Sequence, residues 1–338
     1  MELKHYDEHY LLKLVDFYVK GFPHRKGQHE SICYKLQCLV DKEEAKENIF
    51  VVNEQNDIIG ANMLLPIKFF FGGKSLNAVW SYDTLVLPEY RRSDAGLLIT
   101  EYVISQKNLF GVGLSPINKK IYKRIHFNFI GKLSTYIHPN FFSIRVLTPM
   151  CSFIRPKKVS GYIFPEQIKV RGYIFEKVVS AEKFKSNEYG YCDNDIIEFN
   201  HNFDFVKRRY FHYSSKYTVY QTKERIQTIY PFFVVRPVIV RNMNCLLLVD
   251  YRTYMCDSSF FKVILKAVNT LTRKTWMGAT ITAVSLTKFK KDVLCEFPWI
   301  QVKRADADIV TNFTKEKAEV FVTPGDSDYD FFYGDNVW

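Results

Sequence analysis

The sequence predicts a mixed α/β (α+β) chain of two tandem domains, each a mostly antiparallel mixed sheet flanked by helices. Two observations carry this expectation. At 338 residues the chain exceeds one typical domain, and a strand, helix, strand order in the first half returns in the second. The division is expected between residues 1–153 and 154–338, because "IRPKKVSGYIFPEQ", Ile154 to Gln167, gathers prolines, lysines and a glycine.

The elements follow from spacing. The first thirty residues read as a helix with Leu11, Leu14, Val15 and Tyr18 on one face, stopped by Gly21 and Pro23, and a second helix is expected over Ile32 to Val40. "NIFVVNEQNDIIGANMLLPIKFFFGG" reads as strand, turn, strand, and "LNAVWSYDTLVL" as a further strand. Helix Ala95 to Gln106 sets Ala95, Leu98, Ile99, Tyr102, Val103 and Gln106 on one face. After the strand "LFGVGLSP", Ser115 caps a short helix with Pro116 at its first position. In the second half "NCLLLVDY" is a strand, Ser258 to Arg273 a helix burying Phe261, Ile264, Leu265 and Val268, and "GATITAVSL" a strand.

Composition narrows the function. With 47% hydrophobic and 16% aromatic residues the chain is expected to fold throughout. No apolar run reaches the roughly 20 residues of a membrane span, and the first residues carry acids where a signal peptide has bases, so a cytosolic protein is expected. The seven cysteines are scattered with no C-x-x-C pair, which predicts reduced, mostly buried thiols and neither a disulfide framework nor a metal site. A net charge of +11 points to an anionic partner. The basic runs "RPKK" and "VKRR" are short and read as solvated surface, so neither nucleic acid nor a membrane is the expected partner.

The informative stretch is "LVLPEYRRSDAGLLITEYVIS", Leu85 to Ser105. A polar turn running directly into a helix aims unpaired amides outward, reinforced by about half a positive charge at the helix start. Arg91 and Arg92 add fixed charge suited to a pyrophosphate. The corresponding turn of the second half, "RTYMCDSS", lacks these features.

"LVLPEYRRSDAGLL" resembles the acyl-CoA segment of the GCN5-related N-acetyltransferase (GNAT) superfamily, with Arg91 and Gly96 on its P-x-x-[RQ]-x-x-G-x-[GA] pattern and Asp94 in place of its first glycine. The resemblance implies two GNAT-like domains, the first holding acyl-CoA as donor and the second lacking the CoA turn. It implies backbone contacts of Arg91, Arg92, Ser93, Asp94, Ala95, Gly96 and Leu97 with the pyrophosphate, and of Leu85, Val86 and Leu87 with the pantetheine. Asp94 then turns outward or caps the helix. "SPINKKIYKRIHF" resembles the second signature of the superfamily, implying a cofactor contact for Asn118 and, for Tyr122, the acid that protonates the CoA thiolate. His126 departs from the usual glycine.

For the acceptor, "SYDT" makes Asp83 the candidate general base, with Ser81 and Tyr82 beside the thioester; an Asp that only tethers a loop is the alternative. The loop "FPHRKGQHES" offers His24 and Arg25, with His29 as surface. In the second half Arg236, a charge within an apolar strand, and Trp276 are substrate candidates, Arg236 alternatively pairing with a carboxylate of "GDSDYDFF". The tandem layout resembles members that N-acylate dTDP-linked 3-amino-3,6-dideoxy sugars for surface polysaccharides, with acetyl or 3-hydroxybutanoyl donors. A CoA-binding protein without activity, and a tandem aminoacyl or protein N-acyltransferase, are the alternatives.

Overall fold

The computed structural model describes residues 1–25, 27–147, 161–186, 192–212, 216–296, 298–313 and 318–326. They form two compact units, the first drawn from within 1–69, 75–130 and 308–317, the second from the remainder. The expected division at 153/154 is therefore not where the chain changes unit; it does so after Ile130 and returns at Asp308. Periodicity identifies a strand but not its partners, and partners decide the division. The first half of the expected boundary segment, with "RPKK", lies outside the described residues.

In the first unit the chain runs β1 (Glu2–His5), α1 (Leu11–Gly21), α2 (Gln28–Gln37), α3 (Lys42–Ala45), β2 (Ile49–Val52), β3 (Ile58–Phe71), β4 (Lys74–Val86), α4 (Ala95–Ser105), β5 (Leu109–Val112) and α5 (Pro116–Arg124). The strands lie in the order β1-β2-β3-β4-β5, and a strand from far along the chain, Ala307–Thr311, pairs antiparallel with β5 through Ile309 to Thr311. Sequence spacing missed β1, an edge strand of four residues with no buried side chain. The face of α4 is as expected: Ala95, Ile99 and Val103 are buried in one cluster with Leu64, Leu109 and Tyr122. Gly60 lets α4 lie close to β3, since a Cβ there would come within 2.9 Å of Ile99 Cδ1. Ser115 caps α5, its Oγ accepting from the Asn118 amide at 3.2 Å.

The second unit holds β6 (Asn128–Pro139), β7 (Gln167–Val170), β8 (Tyr173–Val178), β9 (Ile196–Phe199), α6 (Phe203–Val206), β10 (Thr218–Thr222), β11 (Phe232–Val240), β12 (Met243–Arg252), α7 (Ser258–Lys274), β13 (Ala279–Val284), α8 (Thr287–Cys295) and β14 (Ile300–Gln301); the chain then returns to the first unit as the strand on β5, now β15 (Ala307–Thr311), before β16 (Glu319–Phe321) of the second. Its sheet runs β6-β13-β12-β11-β10-β8-β7, with β14 on β6 and β16 parallel to β9. The predicted repeat is present: β12 and β13 are parallel neighbours joined by α7, as β4 and β5 are joined by α4. At the start of α7 the Asp257 carboxylate accepts from the Ser259 amide at 2.8 Å.

A fully buried polar cluster ties the C-terminal segment to this unit. His201 lies 2.7 Å from Asp250 through Nδ1 and 2.5 Å from Asp326 through Nε2. Arg252 pairs with Asp250 at 2.6 Å and Asp326 at 3.1 Å, and Tyr210 donates to Asp250 at 2.7 Å. Asp326 of this acidic segment thus meets Arg252, and the segment beyond Asp326 lies outside the described residues. Arg209 of "VKRR" is buried, donating to the Gly325 carbonyl and the Tyr217 hydroxyl, which corrects the expectation of a solvated run.

The thiols also depart from expectation. Cys192 and Cys256 form a disulfide, with 5.0 Å between their Cα atoms. Among the free cysteines Cys245 is buried, Cys33 and Cys38 are half-buried and Cys295 is exposed. Paired residues 64 apart leave no local signature.

Candidate active site

β4 and β5 pair through Val79 with Leu109 and Trp80 with Phe110, a register two residues long, while β4 runs on to Val86. The strands therefore part after Trp80. Within the parted length Asp83 has φ +51°, a left-handed residue in the middle of a strand, which bends and re-aims the chain as a bulge does. Such conformations cost of order 1 kcal/mol or more and gather at functional sites. Beyond it the Leu87 amide donates to the Ile59 carbonyl of β3 at 2.9 Å. Val86, one residue out of phase, turns its own amide and carbonyl toward the edge from which β5 has separated.

The exposed edge leads straight into the turn. Pro88–Tyr90 form a single 3₁₀ turn, Ser93 Oγ donates back to the Tyr90 carbonyl at 2.7 Å, and α4 begins at Ala95. Asp94 is exposed and its side chain caps nothing, so of the two expected alternatives it turns outward. Ser93 Oγ accepts from the Ala95 amide at 3.4 Å, and Asp94 gives no cap to the amides that follow it at the start of α4. Arg91 and Arg92 are exposed at the same approach, and Leu97 faces solvent. Gly96 has an ordinary helical backbone; a Cβ there would meet Val86 Cγ2 at 3.9 Å, an ordinary contact. Its value is the missing side chain rather than backbone freedom.

Tyr122 is buried in the core of this unit, edge-on to Phe127 at 4.8 Å. Its hydroxyl neighbours Ser81, the first residue past the last β4–β5 pair. Burial pushes the phenol above its ordinary value, and the nearby Ser81 side chain draws it part of the way back. Ser81 in turn accepts from Asn62 Nδ2 at 3.0 Å, and Asn62 also holds Thr84. Asn62, buried on β3, escaped sequence analysis because one amide within an apolar strand carries no motif. Asn118 is half-buried in the first turn of α5, its backbone engaged by Ser115.

Asp83 is ion-paired, the arrangement expected of the loop-tethering alternative. Its carboxylate is inaccessible and held by Lys35 Nζ at 2.6 Å and Arg25 Nη1 at 2.5 Å. Burial alone would raise its pKa, but the two cations more than offset this and hold it below the usual carboxylate range. A carboxylate so tightly paired is a weak proton acceptor near neutral pH. What it does is join the loop after α1, and α2, to the bent strand. Arg25 stacks on Phe22 at 3.8 Å and Lys35 lies 4.7 Å over the ring of Tyr82. His24 and His29 are exposed. Arg236 belongs to β11 of the second unit, 5.8 Å over the ring of Tyr217; Trp276, 63% exposed, follows the end of α7.

No protein-family model matches the chain, and no curated protein does. Solved structures do. A GCN5-related N-acetyltransferase from Anabaena variabilis aligns with TM-score 0.59 at 13% identity over 92% of this chain and 72% of its own. A conserved protein of unknown function from Enterococcus faecalis, described as a probable N-acyltransferase, gives 0.57 at 9% over 92% and 71%. Saccharomyces cerevisiae N-myristoyltransferase with bound myristoyl-CoA gives 0.57 at 11% over 99% and 84%. The fold is that of the GCN5-related N-acetyltransferases. No helix among the described residues is long and apolar enough to cross a membrane.

Proposed function

We propose that the first unit is an acyl-CoA-dependent N-acyltransferase. The observation that carries the reading is the parted β4 edge, with Tyr122 and Ser81 at its inner end and the start of α4, to which Asp94 gives no cap, at its outer end. The Val86 backbone would pair with the pantetheine amides, and the α4 amides with Arg91 and Arg92 would hold the pyrophosphate. A donor lying along that edge brings its thioester to Ser81. An amine nitrogen then bonds to the acyl carbon as the carbon–sulfur bond breaks, Tyr122 gives its proton to the departing sulfur, and the proton of the amine goes to solvent. Asp83 positions the acceptor loop through Arg25 and Lys35 rather than taking that proton.

For the acceptor we propose the amine of a nucleotide-linked sugar of the dTDP-3-amino-3,6-dideoxyhexose type, with an acetyl or 3-hydroxybutanoyl donor. The sequence resemblance and the +11 charge, which suits two anionic substrates, support it. The test follows thiol release from acetyl-, 3-hydroxybutanoyl- and myristoyl-CoA with a dTDP-amino sugar, the free amino sugar and a peptide amine. Amine-dependent release with any pair supports acyl transfer. CoA binding without release identifies a binding protein. Equal kcat/KM for the free and nucleotide-linked sugar removes the nucleotide from the proposal.

A further inference from the structure

A cavity of about 550 Å³ opens within the second unit, lined by none of the residues assigned above. Its walls come from the end of β6 and the turn after it, from β7, α7 and the first residue pair of β13, and from the segment after α8. The volume falls in the range of small-molecule sites.

The inner surface is flat-ringed and neutral. Trp299, buried, meets His138 edge-on at 5.2 Å between ring centres. Burial and the nearby Arg273 both push the His138 pKa down, so the ring is uncharged at neutral pH. Thr272 and Thr280 share a buried hydroxyl bond of 2.7 Å. Beside them Asn269 lines the cavity with a buried Oδ1 that no donor reaches. A buried acceptor in that state is unfavourable until an N–H or O–H arrives.

The rim has the opposite character. Lys169, Arg171, Lys266 and Arg273 are all exposed, against one carboxylate, Glu296, 3.9 Å from Arg171. Phe141 and Phe142 stand at the mouth, 69% and 76% exposed. Aromatic floor, orphan acceptor and cationic rim together describe the complement of one ligand class.

We propose that this cavity is a nucleotide site. A base stacks among Trp299, His138 and the mouth phenylalanines and donates an N–H to Asn269 Oδ1, while a diphosphate meets the rim of lysines and arginines. The site stands independently of acyl transfer by the first unit.

The test is calorimetric titration of the full chain with ADP, UDP and dTDP, with pyrophosphate and with uridine, at two salt concentrations. A nucleoside diphosphate should saturate one site at least about tenfold more tightly than either fragment. Lys266→Ala with Arg273→Ala should weaken it by about tenfold or more and flatten its salt dependence, with Tm unchanged because both side chains are exposed. Asn269→Leu should weaken it while leaving the salt dependence intact. Acyl-CoA binding should persist in both variants. Absence of saturation by any nucleotide overturns the proposal. So does pyrophosphate binding as tightly as the nucleotides, or undiminished nucleotide binding by the rim variant.

Discussion

Lys35 Nζ lies 2.6 Å from Asp83 Oδ2, and both side chains are at most 2% exposed. Removing one partner leaves the other buried without its counter-charge, which costs about 3–5 kcal/mol, whereas replacing both can be nearly neutral. Asp83→Asn is therefore expected to lower stability strongly, and Lys35→Met with Asp83→Asn to recover a large part of it, measured by urea unfolding. Asp83→Asn should not shift the pH dependence of kcat, as loss of a general base would. Since the folded pKa of Asp83 is depressed, its stabilisation is present above the unfolded value and is lost as pH falls through the folded one.

Tyr122→Phe keeps the ring in its core against Phe127 and removes the hydroxyl beside Ser81. The expected result is a fall in kcat of about 10²- to 10⁴-fold with little change in KM. With the native phenol raised above its ordinary value of 10.0, the acid should stay protonated through neutral pH and fail only above that value. A pH–rate profile with the variant alongside checks both statements.

Gly96→Val tests the turn. The protein itself has room for the first added carbon, so the fold should persist while the branched side chain stands where the phosphates approach. CoA affinity by calorimetry should fall about tenfold or more with Tm nearly unchanged.

The His201 cluster predicts a stability profile with two limbs. Asp250 and Asp326 raise the His201 pKa against the opposing effects of burial and Arg252; Tyr210 also faces the cluster, and Glu198 lies behind Arg252. The contribution of His201 is full below its unfolded value near 6.5 and is lost as pH rises through the folded value. Asp250 is depressed, so its share is lost on acidification instead. Urea midpoints across pH should therefore decline on both sides, and His201→Gln should flatten the alkaline side.

Much of the fold was legible where pattern is local. The apolar stripe of α4, the Ser115–Pro116 start of α5 and the β12–α7–β13 repeat all follow from spacing within a few residues. β1 was not, because four partly exposed edge residues carry no period, nor was the pairing of β15 with β5, made between segments about two hundred residues apart in the sequence. In the site, the turn, Tyr122 and Asp83 stood out as motif residues, whereas the ion pairs of Asp83 did not. Its partner left a faint signal: Lys35 falls three residues after Ile32 and four before Leu39, on an apolar helical stripe where an unpaired lysine is costly. Asn62 left none.

The pairing of β15 with β5 bears on how this molecule comes into being. During synthesis β5 emerges long before Ile309 to Thr311 exist, and until they arrive that strand presents an open row of amides and carbonyls. The first unit can therefore complete itself only after Ile309 to Thr311 have left the ribosome, so a nascent chain that already carries Leu85 to Ser105 is still unfinished and exposed to aberrant strand pairing.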